Sequence, residues 1–175
     1  GVDFAVDRGS NKVKIARILR GENWDNDLRS PFLDPGVDIK EGEYLLAING
    51  QPLTGDINPY ALTENTVGKK VTLTVNSRPD MTGSREVVIK PISSEETLRY
   101  YNWVENERRF VDSVSGGKIG YVHIPDMDSY GLTRFMKMFY SQTRKEGLVV
   151  DVRYNGGGFV SSLILQRLRQ ELIVM

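Results

Sequence analysis

The sequence predicts an α+β chain whose first half is built of strands and whose second half alternates helix with strand. Two observations carry this reading. Short runs with period-two alternation, separated by Gly, Asn and Pro turns, continue as far as Ile92. Past Pro91 the apolar spacing becomes helical, and helices and strands then follow one another.

The first strand is read over "DFAVDR" (3–8), where Phe4 and Val6 alternate with polar neighbours. A second, "KVKIARIL" (12–19), sets Val13, Ile15 and Arg17 on one face, with Gly9 expected to turn the loop between them. Pro31 opens a short helical turn over 31–34, Gly42 a further turn, and "YLLAI" a strand closed by Asn49-Gly50. Asn-Gly is the pair best suited to a two-residue hairpin, because both residues tolerate positive φ. "INPYALTENTV" (57–67) reads as a helix with Pro59 in its first turn and Gly68 as its stop. Strands over 69–78 and 84–92 complete the small β-rich domain, giving a predicted boundary of 1–92 and 93–175.

In the second half, "SSEE" suggests a capping box of Ser93 and Glu96 ahead of a helix over 95–114. Its apolar stripe is expected at Tyr100, Trp103, Val104 and Val111, with Gly116-Gly117 as the stop. A strand (118–124), a helix (130–144), a strand with the apolar look of a buried parallel one (147–153) and a helix (159–172) follow. The economical reading is a β-α-β-α unit with a parallel sheet.

Composition narrows the function classes. Lys plus Arg and Asp plus Glu both number 23, a balance that argues against nucleic acid or an acidic membrane as the main partner. No run approaches the roughly 20 apolar residues of a membrane span. Cysteine is absent, which excludes disulfides, zinc-thiolate sites and a cysteine nucleophile but leaves the compartment open. No signal peptide is read at Gly1, and both ends look cut from a longer protein. No metal constellation and no cofactor motif is read.

"VVDVRYNGGGFVSS" (149–162) is the most informative stretch. Three glycines leave a strand end and open a helix, where backbone N–H groups and the helix dipole point outward. A phosphate loop would need Lys and then Ser or Thr after the glycines, but Phe159 and Val160 follow. A dinucleotide fingerprint would need Gly or Ala where Ser161 stands. An oxyanion hole built on glycine amides fits, and so does a tight turn with no ligand. The single histidine, His123, reads as a half-buried structural residue. Asp126 and Asp128 read as loop and helix cap, and Asp151 with Arg153 as a structural pair. Ser161 and Ser162 lack the G-x-S-x-G elbow of a nucleophile.

The order of parts resembles a known family. "SPFLDPGVDIKEGEYLLAINGQPL" is similar to a PDZ domain of the bacterial and archaeal protease type, with "GVDF" (1–4) matching its carboxylate-binding loop. "GYVHIPDM" and "VDVRYNGGGFVS" resemble the tricorn protease core and, more broadly, the C-terminal processing serine peptidases. The resemblance implies a PDZ-like small β-barrel with two helices, followed by part of an α/β serine peptidase domain. It implies an oxyanion hole on the backbone N–H of Gly157 or Gly158, with Gly156 a third option. It implies peptide or unfolded segments added as a strand at Val2, Asp3, Phe4 and Val6, opposite Tyr60, Ala61 and Leu62, with the terminal carboxylate in the loop. It further implies a homo-oligomeric parent. In that family the catalytic histidine precedes the PDZ domain and the serine lies in a later turn. His123, Ser161 and Ser162 match neither, so the chain alone is expected to be inactive and to self-associate through uncovered surfaces. The rival readings are a non-catalytic peptide-binding or assembly module and, more distantly, a nucleotide-binding α/β protein.

Overall fold

The computed structural model describes residues 1–170, which form two compact units, Gly1–Asn102 and the chain from Trp103 onward. The first contains β1 (Val2–Asp7), β2 (Lys12–Ile18), β3 (Tyr44–Ile48), β4 (Gln51–Pro52), β5 (Val71–Asn76) and β6 (Arg85–Ile89). They make one antiparallel sheet in the order β1-β2-β3-β5-β6, with β4 paired to β3. β3 lies between β2 and β5, and all five of its residues are buried, which explains an apolar run without alternation. Leu45 and Ile48 join Val13, Ile15, Leu73 and Val75 in the core. Each such side chain contributes about 1.5–3 kcal/mol by leaving water.

The Asn49-Gly50 hairpin forms as expected, with φ of 49° and 75°. In the β1–β2 loop the positive φ falls on Asn11 (51°), not on Gly9. β2 corrects a second expectation. Asp3 pairs with Arg17 but Phe4 pairs with Ile15, so an extra residue, Ala16, bulges out of β2. The bulge inverts the facing of everything after it: Ile18 is buried and Arg17 is exposed.

The helix expected over 57–67 is a 3₁₀ turn, Pro59–Thr63. Asn58 Oδ1 caps it by accepting from the Tyr60 N–H (3.0 Å). Thr63 and Thr66 donate their hydroxyls to the carbonyls of Tyr60 and Thr63, and Asn65 takes a φ of 58°. These local bonds compete with helix propagation. The turn near 31–34 is likewise 3₁₀, Pro31–Leu33.

α1 (Glu96–Val114) begins in the first unit. Its first-turn N–H at Glu96 is bonded by Ser94 Oγ (3.1 Å), so Ser94 rather than Ser93 serves the helix start. Leu98 and Asn102, absent from the expected stripe, are buried. The Asn102 amide behaves like a backbone group: Nδ2 donates to Arg20 O (2.6 Å) and Leu98 O (2.7 Å), and Oδ1 accepts from Arg20 N (3.0 Å). Every polar atom of that buried side chain is thereby matched.

The second unit holds β7 (Ile119–His123), α2 (Ser129–Tyr140), β8 (Gly147–Asp151) and α3 (Ser161–Leu168). β7 and β8 pair in parallel from Ile119↔Gly147 to His123↔Asp151. Val122, Ile124, Phe135 and Ile164 form the buried centre. α2 and α3 are shorter than expected, and positions 171–172 of the last predicted helix lie outside the described residues. β8 is less buried than its composition suggests. Among the described residues it pairs with β7 alone, which leaves Val149 41% exposed. No helix among the described residues is long and apolar enough to cross a membrane.

Candidate functional site

Two regions hold the residues singled out by the sequence, one in each unit. In the second unit, β8 leads into the glycine turn through a set of fixed side chains. Asp151, 8% exposed, accepts from Arg153 Nε (2.8 Å to Oδ2) and Nη2 (2.5 Å), from the Arg153 N–H (2.9 Å), and from the buried Tyr121 hydroxyl (2.6 Å). Bonding to Arg153, reinforced by Tyr121, holds the Asp151 carboxyl well below the usual range. Burial, and then the bond to Asp151, pushes the Tyr121 phenol up. Arg153 also reaches Glu107 (2.8 Å) and lies over the Trp103 ring.

His123 is 1% exposed, with Nε2 donating to the Arg153 carbonyl (2.8 Å) and its ring edge-on to Trp103 at 4.8 Å. It is more deeply buried than expected, and its Nε2 is bonded to the backbone. It and the Asp151–Arg153 pair both make their bonds at the end of β8. Asp126, not Asp128, caps α2, its Oδ1 accepting from the N–H groups of Asp128 (2.8 Å) and Gly131 (2.9 Å). Asp128 makes no side-chain cap bond.

The turn itself is stitched to the segment after β7. Asn155 donates from Nδ2 to Ile124 O (2.9 Å) and accepts at Oδ1 from the Gly157 N–H (2.7 Å), an Asx-turn. The Gly156 N–H donates to Pro125 O (2.9 Å), Met127 N–H to Gly157 O (2.6 Å), and Val160 N–H to Met127 O (2.8 Å). Gly156 and Gly157 have therefore spent their amides, whereas the Gly158 N–H has no acceptor among the described residues. Glycine is required at 158: its φ is 138°, and a Cβ there would stand 2.2 Å from Met127 O. Neither Asn155 nor the left-handed Tyr154 (φ 59°) was singled out from the sequence. An Asn directly before three glycines is the available signal for the Asx-turn.

In the first unit, β1 is an edge strand. Gly1 O accepts from Leu19 N–H, while the Val2 N–H and carbonyl point the other way, to Glu95 Oε1 (3.1 Å) and the Tyr60 hydroxyl (2.9 Å). The bulge lies in β2, so β1 alternates regularly and the N–H and C=O groups of Phe4 and Val6 face the open edge with those of Val2. A cleft of about 690 Å³ adjoins it, walled by Val2, Phe4, Phe32, Tyr60, Ile92 and Arg99. A second of about 580 Å³ runs along Asp3, Phe4, Val6, Ile57 and Tyr60. Phe4 meets Tyr60 edge-on at 5.7 Å. The structure thus brings Val2, Asp3, Phe4 and Val6 to the clefts. Ala61 and Leu62 line neither: Ala61 is exposed and Leu62 packs on the core, because the 3₁₀ turn presents Tyr60 instead.

Arg99 and Glu95, not anticipated, close one end of this edge. Arg99 Nη1 bonds Asp3 Oδ1 (2.7 Å) and Nη2 bonds Glu95 Oε2 (2.6 Å).

Comparison with known proteins gives consistent matches across the chain. Residues 1–94 match the family model described as the tricorn protease PDZ domain, and residues 118–169 match peptidase family S41. The chain is 37% identical over 168 residues to a tricorn protease homolog of Saccharolobus solfataricus, covering 96% of this chain and 15% of that protein. It is 34% identical over 171 residues to the tricorn protease of Thermoplasma acidophilum, covering 98% and 16%. The crystal structure of the tricorn protease superposes with a TM-score of 0.84 at 32% identity, over 97% of this chain and 16% of that one. The chain spans less than a fifth of the length of these relatives.

Proposed function

The chain belongs to the tricorn protease PDZ domain family, followed by a peptidase family S41 segment, and from this we propose that it captures extended peptide for a serine peptidase and supplies part of that enzyme's oxyanion site. The observation that carries the reading is the open β1 edge, with Phe4 and Val6 offering backbone donors and acceptors beside an apolar cleft. An extended segment adds there as one more strand.

In the whole enzyme, acyl transfer to a serine develops negative charge on the substrate carbonyl oxygen. We assign that oxygen to the Gly158 N–H, a choice supported by the acceptors that the amides of Gly156 and Gly157 already have. One such donor contributes about 3 kcal/mol to the transition state. Residues 1–175 alone do not assemble the chemistry: the only histidine is His123, buried with Nε2 on a carbonyl. We expect no turnover of fluorogenic peptides by this chain, and measurable hydrolysis would overturn that part. Surfaces such as Val149, Val152 and Phe159, all exposed, are read as contacts for the rest of the peptidase, and homo-oligomeric assembly belongs to the same reading.

Peptide capture is tested by fluorescence anisotropy with labelled extended peptides and a Val6→Pro variant. Proline removes an outward N–H from an edge strand without breaking the β1–β2 ladder. Binding is expected to weaken about tenfold while the melting curve stays in place. Unchanged binding by the variant would sink the strand-addition model.

A further inference from the structure

We propose that the groove beside β1 accepts an internal extended segment rather than a chain end, because Glu95 of the same chain occupies the place of a ligand's terminal carboxylate. The inference rests on the peptide-capture reading and names the kind of peptide captured.

Recognition of a terminal carboxylate needs unspent N–H donors or an unspent cation. At this end of β1 the Val2 N–H and the Arg99 guanidinium are both engaged, and Glu95 also lies 3.8 Å from the Gly1 nitrogen. The outward Val2 N–H donates to Glu95 Oε1, and the Val2 carbonyl accepts from Tyr60. The other Glu95 oxygen lies on Arg99, whose second amino group is held by Asp3. Arg17 is directed to Asp3 as well, at 3.6 Å. An incoming carboxylate would therefore face Glu95 and Asp3 as like charges, across guanidinium groups already engaged by them. Further along the edge no such plug exists among the described residues. Phe4 and Val6 present free backbone groups, and the adjoining cleft is walled by Val2, Phe4, Phe32 and Ile92. That combination suits a neutral, apolar stretch of chain that continues past the groove at both ends.

The same apolar peptide sequence is prepared with a free carboxylate, with an amidated end, and embedded in a longer chain, and each is titrated by fluorescence anisotropy. Wild type is expected to bind all three within about twofold. Glu95→Ala frees the Val2 N–H and Arg99, and should tighten the free-carboxylate peptide about tenfold while leaving the other two unchanged. Glu95→Gln keeps an acceptor for Val2 but removes the charge, and should shift the same ratio by a smaller factor. A wild-type preference for the free carboxylate of about fivefold or more overturns the inference while leaving peptide capture standing. So does a ratio that neither variant moves. Absence of binding by wild type and both variants overturns peptide capture itself, and the inference with it. If thermal melts show that neither variant folds, the wild-type ratio decides alone.

Discussion

Gly158→Ala is expected to dismantle the glycine turn, lowering the stability of the second unit by about 3 kcal/mol or more. The cost has two sources. A φ of 138° is closed to residues with a Cβ, and the added carbon would lie 2.2 Å from the Met127 carbonyl oxygen, which belongs to rigid backbone. Relief requires the 157–160 segment to move away from Met127, breaking the bonds from Met127 to Gly157 O and from Val160 to Met127 O. Gly157→Ala provides the contrast. Its φ of 82° is also unfavourable, but nothing stands within 4 Å of the added carbon, so a loss of about 1 kcal/mol is expected. Hydrogen exchange at the Met127 and Val160 amides, together with urea unfolding, reads both. Equal losses for the two variants would mean that close approach to Met127 is not what demands glycine at 158.

Asp151→Ala is expected to cost about 2–3 kcal/mol, because it leaves the buried Tyr121 hydroxyl without its acceptor and removes the charge-assisted bonds to Arg153. It should also change the acid limb of stability. The folded-state pKa of Asp151 lies below the unfolded value, so its contribution is complete above the unfolded pKa near ~3.9 and is lost as pH falls below it. Wild type should lose stability steeply beneath about pH 4, and the variant should show a shallower curve there. Parallel curves for the two proteins would show that another group governs the acid transition.

Much of the fold is written locally. Asn49-Gly50 names its own hairpin, the alternation of Val71, Leu73 and Val75 marks a strand, and the switch to helical spacing marks the second half. What escapes local reading depends on partners distant in sequence. The Ala16 bulge arises only when β2 is paired with β1, and it reverses Arg17 and Ile18 in a stretch whose own pattern looks regular. The 57–67 segment has helical composition, but hydroxyls of Thr63 and Thr66 satisfy carbonyls that a helix would have used. At the sites, the glycines and the first strand stand out as residue types. The clamp of Glu95 on Val2 joins positions 93 apart, and no spacing rule brings them together. The distinction among Gly156, Gly157 and Gly158 is also structural, since it depends on where each amide points.

The edge-on packing of Trp103 against His123, with Arg153 above the indole and Tyr154 at 5.9 Å, places a fluorophore where the strand hands over to the glycines. Imidazole and guanidinium groups beside an indole alter its emission, and these two come from the end of β7 and from the residues just after β8. With the exposed Trp24 replaced, the protein carries an intrinsic optical reporter of that hand-over, readable without any label.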